Sequence, residues 1–365
     1  MKIGILSMQR VVNFGSVLQA WSLRQMIQEA AGVSAEFLDI ENSPALESQG
    51  ADMSGADGGE PAFYSRCVLQ RGKRRIIRLL SSYNKRLIRR FMEKELRLDA
   101  ACSQNMYDCV VVGSDEVFNH VAGIRLQLHG KVKQAQRVIT YAASCGTAKP
   151  EDVRSEDAPE LRAAMRRFEA VSVRDAGTER YAEHFYDGPI HRHLDPVLMG
   201  ELHARKVRRV WLKKYMLVYA YGQRIRSARE IEAIRSFAKQ RKLKLVAVGG
   251  SQYWCDLYLP LSPMRVLDWF AHADYVVTDT FHGVIFSVIN QRPFAAIVRS
   301  SNENKLMGLL GDLALTARRF TDSNTLEEIF DEAIDYDRVN ALLSRERVRT
   351  RAYLKEFLTH EKGNH

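Results

Sequence analysis

Short apolar runs rich in Val, Ile and Tyr alternate along this chain with longer stretches of helical period, the pattern of βαβ units built on a parallel sheet. In the first half the predicted strands are residues 2–7, 35–40, 109–112, 138–142 and 170–173, each followed by a turn and a candidate helix. Between about 194 and 210 the pattern gives way to a Pro-containing and then basic stretch, and it restarts with residues 215–221, 243–248, 275–278 and 294–298. The restart predicts two α/β domains, residues 1–200 and 201–338. A charged helical tail, residues 339–365, is expected to pack back on the first domain. The length of 365 residues points the same way, because a single hydrophobic core usually stops growing below that size. Two domains imply a ligand cleft between them.

Composition excludes several classes. With 46% apolar residues and only nine prolines the chain can bury a sizeable core, unlike a disordered one. No run reaches the ~18–20 apolar residues of a membrane-spanning helix, and the apolar start is too short for a signal peptide. The five cysteines are an odd number without a C-x-x-C pair, which fits free thiols in a reducing compartment. A cytoplasmic protein is expected, working at the inner face of the membrane if its basic segment meets lipid.

That segment holds the charge. The chain carries a net +10, and residues 66–97 contain twelve basic side chains against Glu93 and Glu95, so this stretch alone accounts for the whole surplus. Apolar residues at helical spacing (Ile76, Ile77, Leu79, Leu80, Leu87, Ile88, Phe91) predict a helical insertion near 63–98, after a surface loop at 44–62. A solvated helical face explains such a charge run. The sharper expectation is a peripheral contact from Arg66 to Arg97 with an anionic membrane or a lipid-pyrophosphate acceptor. Nucleic acid is not expected as a partner, because the segment has few aromatics to stack on bases.

In open parallel sheets ligands bind outside the carboxyl ends of strands, where helix N-termini favour anions. Five such exits stand out: Asn13-Phe14-Gly15-Ser16-Val17-Leu18-Gln19, Gly113-Ser114-Asp115-Glu116-Val117-Phe118-Asn119, Ala143-Ser144-Cys145-Gly146, Arg174-Asp175, and Thr278-Asp279-Thr280-Phe281-His282-Gly283. Together and in this order they resemble the motif set of bacterial polysaccharide pyruvyl transferases. Leu194-Asp195-Pro196-Val197-Leu198 resembles a further turn of that family. The resemblance runs from residue 3 to about 315.

It implies an α/β fold of two Rossmann-like domains with parallel sheets facing a cleft, as in GT-B-type glycosyltransferases. It also implies phosphoenolpyruvate as co-substrate and a sugar acceptor of a cell-surface glycan, whether free, nucleotide-linked, lipid-linked or polymeric, with a cyclic pyruvate ketal as product. On this reading His282 and Asp115 are the catalytic candidates. Arg174, Lys305, Thr280 and Gly283 would hold the donor, while Asn13, Gly15, Gln19, Ser114 and Asp279 would line the cleft or meet the acceptor.

Each has an ordinary structural alternative: Ser114-Asp115 could cap a helix, Arg174 could pair with Asp175, and Asn13 and Gly15 could form a tight turn. A branch of the family has Arg-Leu-His where this chain has Thr280-Phe281-His282, so some other cation must help hold the donor, with Arg299 or Lys305 the best placed candidates. No metal-ligand spacing, P-loop or G-x-G-x-x-G opening a helix is present, and no cofactor or metal is expected. The competing expectation is a GT-B glycosyltransferase with a nucleotide-sugar donor.

Overall fold

The computed structural model describes residues 1–41, 46, 68–98, 105–120 and 123–359, without the side chains of 68–71 and 73. Apart from Leu46, the loop predicted at 44–62 lies outside these residues, as do Arg66 and the last six residues. In the first lobe β1 (Ile3–Leu6) leads to α1 (Phe14–Ala31) and β2 (Ala35–Phe37), followed by α2 (Val68–Phe91) and β3 (Tyr107–Asp115). Then come β4 (Ala135–Ala143), α3 (Ala158–Met165), β5 (Phe168–Val173), α4 (Ala176–Phe185), β6 (Ile190–Arg192) and the single turn α5 (Pro196–Met199). These six strands form one parallel sheet in the order β2-β1-β3-β4-β5-β6.

The second lobe comprises β7 (Tyr215–Ala220), α6 (Ala228–Gln240), β8 (Lys244–Gly249), β9 (Leu257–Tyr258), α7 (Pro263–His272), β10 (Tyr275–Thr278) and α8 (Phe281–Ile289). It continues through β11 (Phe294–Ile297), α9 (Glu303–Asp312), β12 (Arg319–Phe320), α10 (Leu326–Asp331) and α11 (Tyr336–Thr359). Its six strands are also all parallel, in the order β12-β11-β10-β7-β8-β9. The expected α/β class with two Rossmann-like sheets in a GT-B-like arrangement is therefore what the chain forms. The strand order reverses between β1 and β3 in one sheet and between β7 and β10 in the other, which are the positions where open sheets bind ligands.

Local chemistry sets the elements that matter for the site. Asn13 stands in extended conformation before α1 and its side chain accepts from the Ser16 amide, satisfying one of the orphan first-turn donors. The helix stops at Gly32, whose φ of 66° costs little without a Cβ. α8 is apolar on nearly every face, so it is stable only where it is buried on all sides; Phe281, Val284, Ile285, Phe286, Val288 and Ile289 all lie in the core. That core joins the lobes, since residues of α1, α5, α7, α8 and α11 belong to one continuous cluster. α11 follows the second lobe but returns to the first, where its Tyr353 hydroxyl donates to the Thr140 carbonyl of β4 and Arg347 donates to the Leu198 carbonyl of α5.

The helix-cap alternative for Ser114 and Asp115 fails, because they do not open a helix. They end β3, and Asp115 at φ 74° turns the chain so that Val117 and Phe118 fill the core below β4. Among the described residues between β3 and β4 there are turns and no helix. The basic insertion is the helix α2. Its Ile77 packs into the core of the second lobe while Ile88 packs into the core shared with α1, so α2 lies across both lobes.

Candidate active site

A cleft of about 880 Å³ opens between the lobes, lined by the exits of β1 and β3 on one side and of β7, β8 and β10 on the other, with α2 along its edge. Asn13, Gly15, Asp115, Arg174, Thr280, His282 and Lys305 from the sequence candidates line it. Gln19, Ser114, Asp279 and Gly283 stand behind the lining. Gln19 and Ser114 are fully buried, and neither amide atom of Gln19 finds a hydrogen-bond partner among the described residues.

His282 enters from the first turn of α8 and reaches the first lobe. Its Nε2 faces the Asp195 carboxylate at 3.5 Å, while its Nδ1 edge lies over Gly15, where a Cβ would come within 2.2 Å of it. Gly283 is required on the other side of the same turn, because a Cβ there would stand 1.9 Å from Thr278 Oγ1. Thr280 caps α8 by accepting from the Gly283 amide at 2.9 Å. The Phe281 and His282 amides belong to the first turn, which leaves their N–H groups without intrahelical acceptors and suited to an anion.

Asp195 ties the site together. It caps α5, accepting from the Val197 amide at 2.9 Å, and its other oxygen accepts from Arg174 Nη1 at 3.1 Å. Burial alone would raise its carboxyl, but His282, Arg174 and the Val197 amide together hold it below the usual carboxylate value. Arg174 is buried with it and lies 4.3 Å over the Phe281 ring. Burial opposes its charge, yet Asp195, Asp115, Asp175 and Glu116 raise its pKa above the ordinary value. The alternative pairing of Arg174 with Asp175 is not formed; Asp175 instead caps α4 and accepts from Ser144 Oγ at 3.0 Å.

Two further clusters complete the walls. Asp115 accepts from Ser16 Oγ at 2.5 Å, joining the exits of β3 and β1. Lys305 of α9 donates to Glu116 at 2.6 Å, an ion pair that crosses the cleft from one lobe to the other. Burial would raise the Glu116 carboxyl, and Lys305 with Asn119 brings it below the usual value.

Arg299 does not face the cleft: it is held in a bidentate pair with Glu230 at 2.7 and 2.8 Å. Arg224, in the turn after β7, lines the cleft instead, donating to Ser301 Oγ at 2.7 Å with its Nε 3.3 Å from Asp279. Among the described residues no side chain donates a hydrogen bond to the buried Asp279 carboxylate, and burial pushes its carboxyl up to about 6 against the pull of Arg224 and Arg299. The sequence reading missed Arg224 and Glu116 as lining residues, and it treated Asp195 only as part of a turn.

Among the described residues five cations (Lys85, Arg125, Arg174, Arg224, Lys305) line the cleft against two carboxylates, Asp115 and Glu116, a balance that favours an anionic ligand. One imidazole backed by a buried carboxylate can exchange a proton with whatever that ligand is.

The chain matches the family profile described as polysaccharide pyruvyl transferase over residues 13–301, most of its length. No curated protein matches it. Among solved structures it is similar to an S. aureus MnaA-UDP co-structure, at 12% identity and a TM-score of 0.50, covering 100% of this chain and 98% of that one. A Methanocaldococcus jannaschii UDP-GlcNAc 2-epimerase (10%, TM-score 0.40, 94% and 100% covered) and the E. coli heptosyltransferase WaaC with ADP (14%, TM-score 0.38, 81% and 87% covered) are also similar.

Proposed function

Because the chain belongs to the polysaccharide pyruvyl transferase family, we propose that it moves the pyruvyl group of phosphoenolpyruvate onto two hydroxyls of a sugar, forming a cyclic ketal on a cell-surface glycan or its precursor. The observation that carries this reading is the cation-rich cleft with His282 and Asp195 at its junction, built from the same strand exits that carry the family's segments. A donor with both a phosphate and a carboxylate needs several cations, and a ketal needs protons moved at carbon and oxygen.

The chemistry follows from the donor. A proton added to the methylene carbon of phosphoenolpyruvate makes the central carbon an electrophile. A sugar hydroxyl attacks it and loses its proton; the C–O bond to phosphate then breaks, and a second hydroxyl closes the ring. One acceptor proton ends on the new methyl group and the other leaves with phosphate.

In this account His282 handles the proton, and Asp195 fixes the imidazole and stabilises its charged form. Arg174, Arg224 and Lys305, with the first-turn amides of α8, hold the donor's anionic groups. Asp115 orients or deprotonates the acceptor hydroxyl, and Asn13 with Gly15 shapes that side of the cleft. Arg224 takes over the task for which the Arg-Leu-His branch uses its arginine.

Gly15→Ala tests the geometry. Alanine favours a helix over glycine by about 1 kcal/mol, but the added methyl would stand 2.2 Å from His282 Nδ1, so the imidazole must move. Displacements near 1 Å cost about 100-fold in rate, and turnover should fall by that order while the melting temperature shifts only modestly. Unchanged turnover would show that the contact does not position His282.

Donor identity is tested by thermal shift. Phosphoenolpyruvate should raise the melting temperature of the wild type, and Arg224→Ala should lose most of that gain. A rise with UDP- or GDP-sugars and none with phosphoenolpyruvate would replace the reading with a nucleotide-sugar glycosyltransferase.

A further inference from the structure

The outward half of α2 has no role in the cleft. Ile77, Asn84 and Ile88, with the half-buried Leu80, Ser81, Leu87 and Phe91, form the arc that packs inward. At 100° per residue the opposite arc carries Arg75, Arg78, Arg86, Arg89 and Arg90, all exposed, and along one margin Ile76, Leu79 and Tyr83 at 59%, 67% and 47% exposure. No acidic residue stands on this helix. A face kept only for solubility would mix its charges and would not leave three large apolar side chains in water.

A second exposed feature has the same chemistry. In the connection between the lobes, Lys206, Arg208, Arg209, Lys213 and Lys214 are exposed around Trp211, itself 69% exposed. Both features lie against α7. Asn84 of α2 accepts from the Leu261 amide just before that helix at 2.9 Å, while Trp211 packs edge-on against Trp269 within it and Arg265 donates to the Arg209 carbonyl. Basic side chains beside an exposed indole and an aliphatic margin match the boundary between anionic headgroups and acyl chains. No described helix is long and apolar enough to cross a membrane, so contact would be peripheral.

We propose that the outward face of α2 and the Trp211 segment dock this protein on an anionic lipid bilayer. The inward edge of the same helix lines the cleft through Ser81, Asn84, Lys85 and Ile88, so docking brings the cleft's edge to the lipid surface. Resting on the reading under Proposed function, this favours an acceptor carried on a lipid. The docking itself does not depend on the donor.

The test is sedimentation of the full chain with vesicles of phosphatidylcholine alone and of phosphatidylcholine mixed with phosphatidylglycerol. Wild type should pellet with the anionic vesicles only and be released by high salt. Arg75→Ala, Arg78→Ala, Arg86→Ala and Arg89→Ala together should weaken partition by about fivefold per arginine. Brominated lipid should quench Trp211, an effect lost in Trp211→Phe.

Wild type remaining in the supernatant with anionic vesicles would overturn the proposal, as would equal pelleting of the fourfold variant. Steeply salt-dependent binding of single-stranded RNA without vesicle binding would assign the face to a polyanion instead and also overturn it. None of these outcomes requires turnover, so they are separable from a failure of the pyruvyl-transfer reading.

Discussion

Replacing His282 with Gln should lower turnover by about 100 to 10,000-fold, the usual loss when a positioned acid-base group is removed. The fold should survive: the side chain keeps 13% exposure and makes no hydrogen bond that the core depends on. A melting temperature within about 1–2 °C of wild type corresponds to the loss of about 1 kcal/mol in a chain of 365 residues, at an unfolding entropy of about 2.1 cal/mol/K per residue. A well-folded Gln variant with wild-type turnover would remove His282 from the chemistry. The measurement is steady-state phosphate release alongside a melting curve of the same preparation.

Asp195→Ala should act on stability and activity together. Its carboxylate is the partner of the buried Arg174 guanidinium and the cap of α5. Removing one member of a buried pair leaves the other charge unsolvated, at a cost of about 3–5 kcal/mol. The freed His282 also loses the group that orients it, so activity should fall well beyond the loss of folded protein.

Asp195→Asn separates the effects, because Asn still caps a helix but carries no charge. The pH dependence has a definite sign. The folded carboxyl lies below its unfolded value of about 3.9, so its contribution is complete above that pH and is lost as pH falls through the folded value. The stability gap between wild type and Asp195→Asn should therefore be constant near neutrality and close in acid. A gap that persists unchanged at low pH would mean that charge is not what Asp195 contributes.

The parts of this site that could be read in the sequence were those written locally. Strand exits announce themselves by an apolar run followed by Asn, Asp, Thr or Gly, and four of them bring Asn13, Asp115, Arg174 and His282 to the cleft at the carboxyl ends of the strands. Gly15 was legible as a turn residue, whereas its reason, a histidine from the other lobe lying on it, depends on a contact 267 positions along the chain.

Arg224 gave no signal, being an ordinary basic residue in a turn whose neighbours are set by the packing of β7 against β10. Asp195 stood in a segment whose cap and proline explained it fully, and only the assembled lobes give it Arg174 and His282 as partners. Ser114 and Asp115 looked like a helix start, because the same residue types serve a cap and a positive-φ turn. The α2 periodicity was correctly helical, but its spanning of both lobes follows from tertiary packing that no local pattern encodes.

The central claim is most directly tested by incubating the protein with phosphoenolpyruvate and a panel of hexosides and lipid-linked sugars, while measuring phosphate release and product mass together. The account predicts acceptor-dependent release of one phosphate for each sugar that gains a pyruvate less one water, absent in His282→Gln. Phosphate release without a change in the sugar's mass, or sugar transfer from a nucleotide donor in its place, would contradict it.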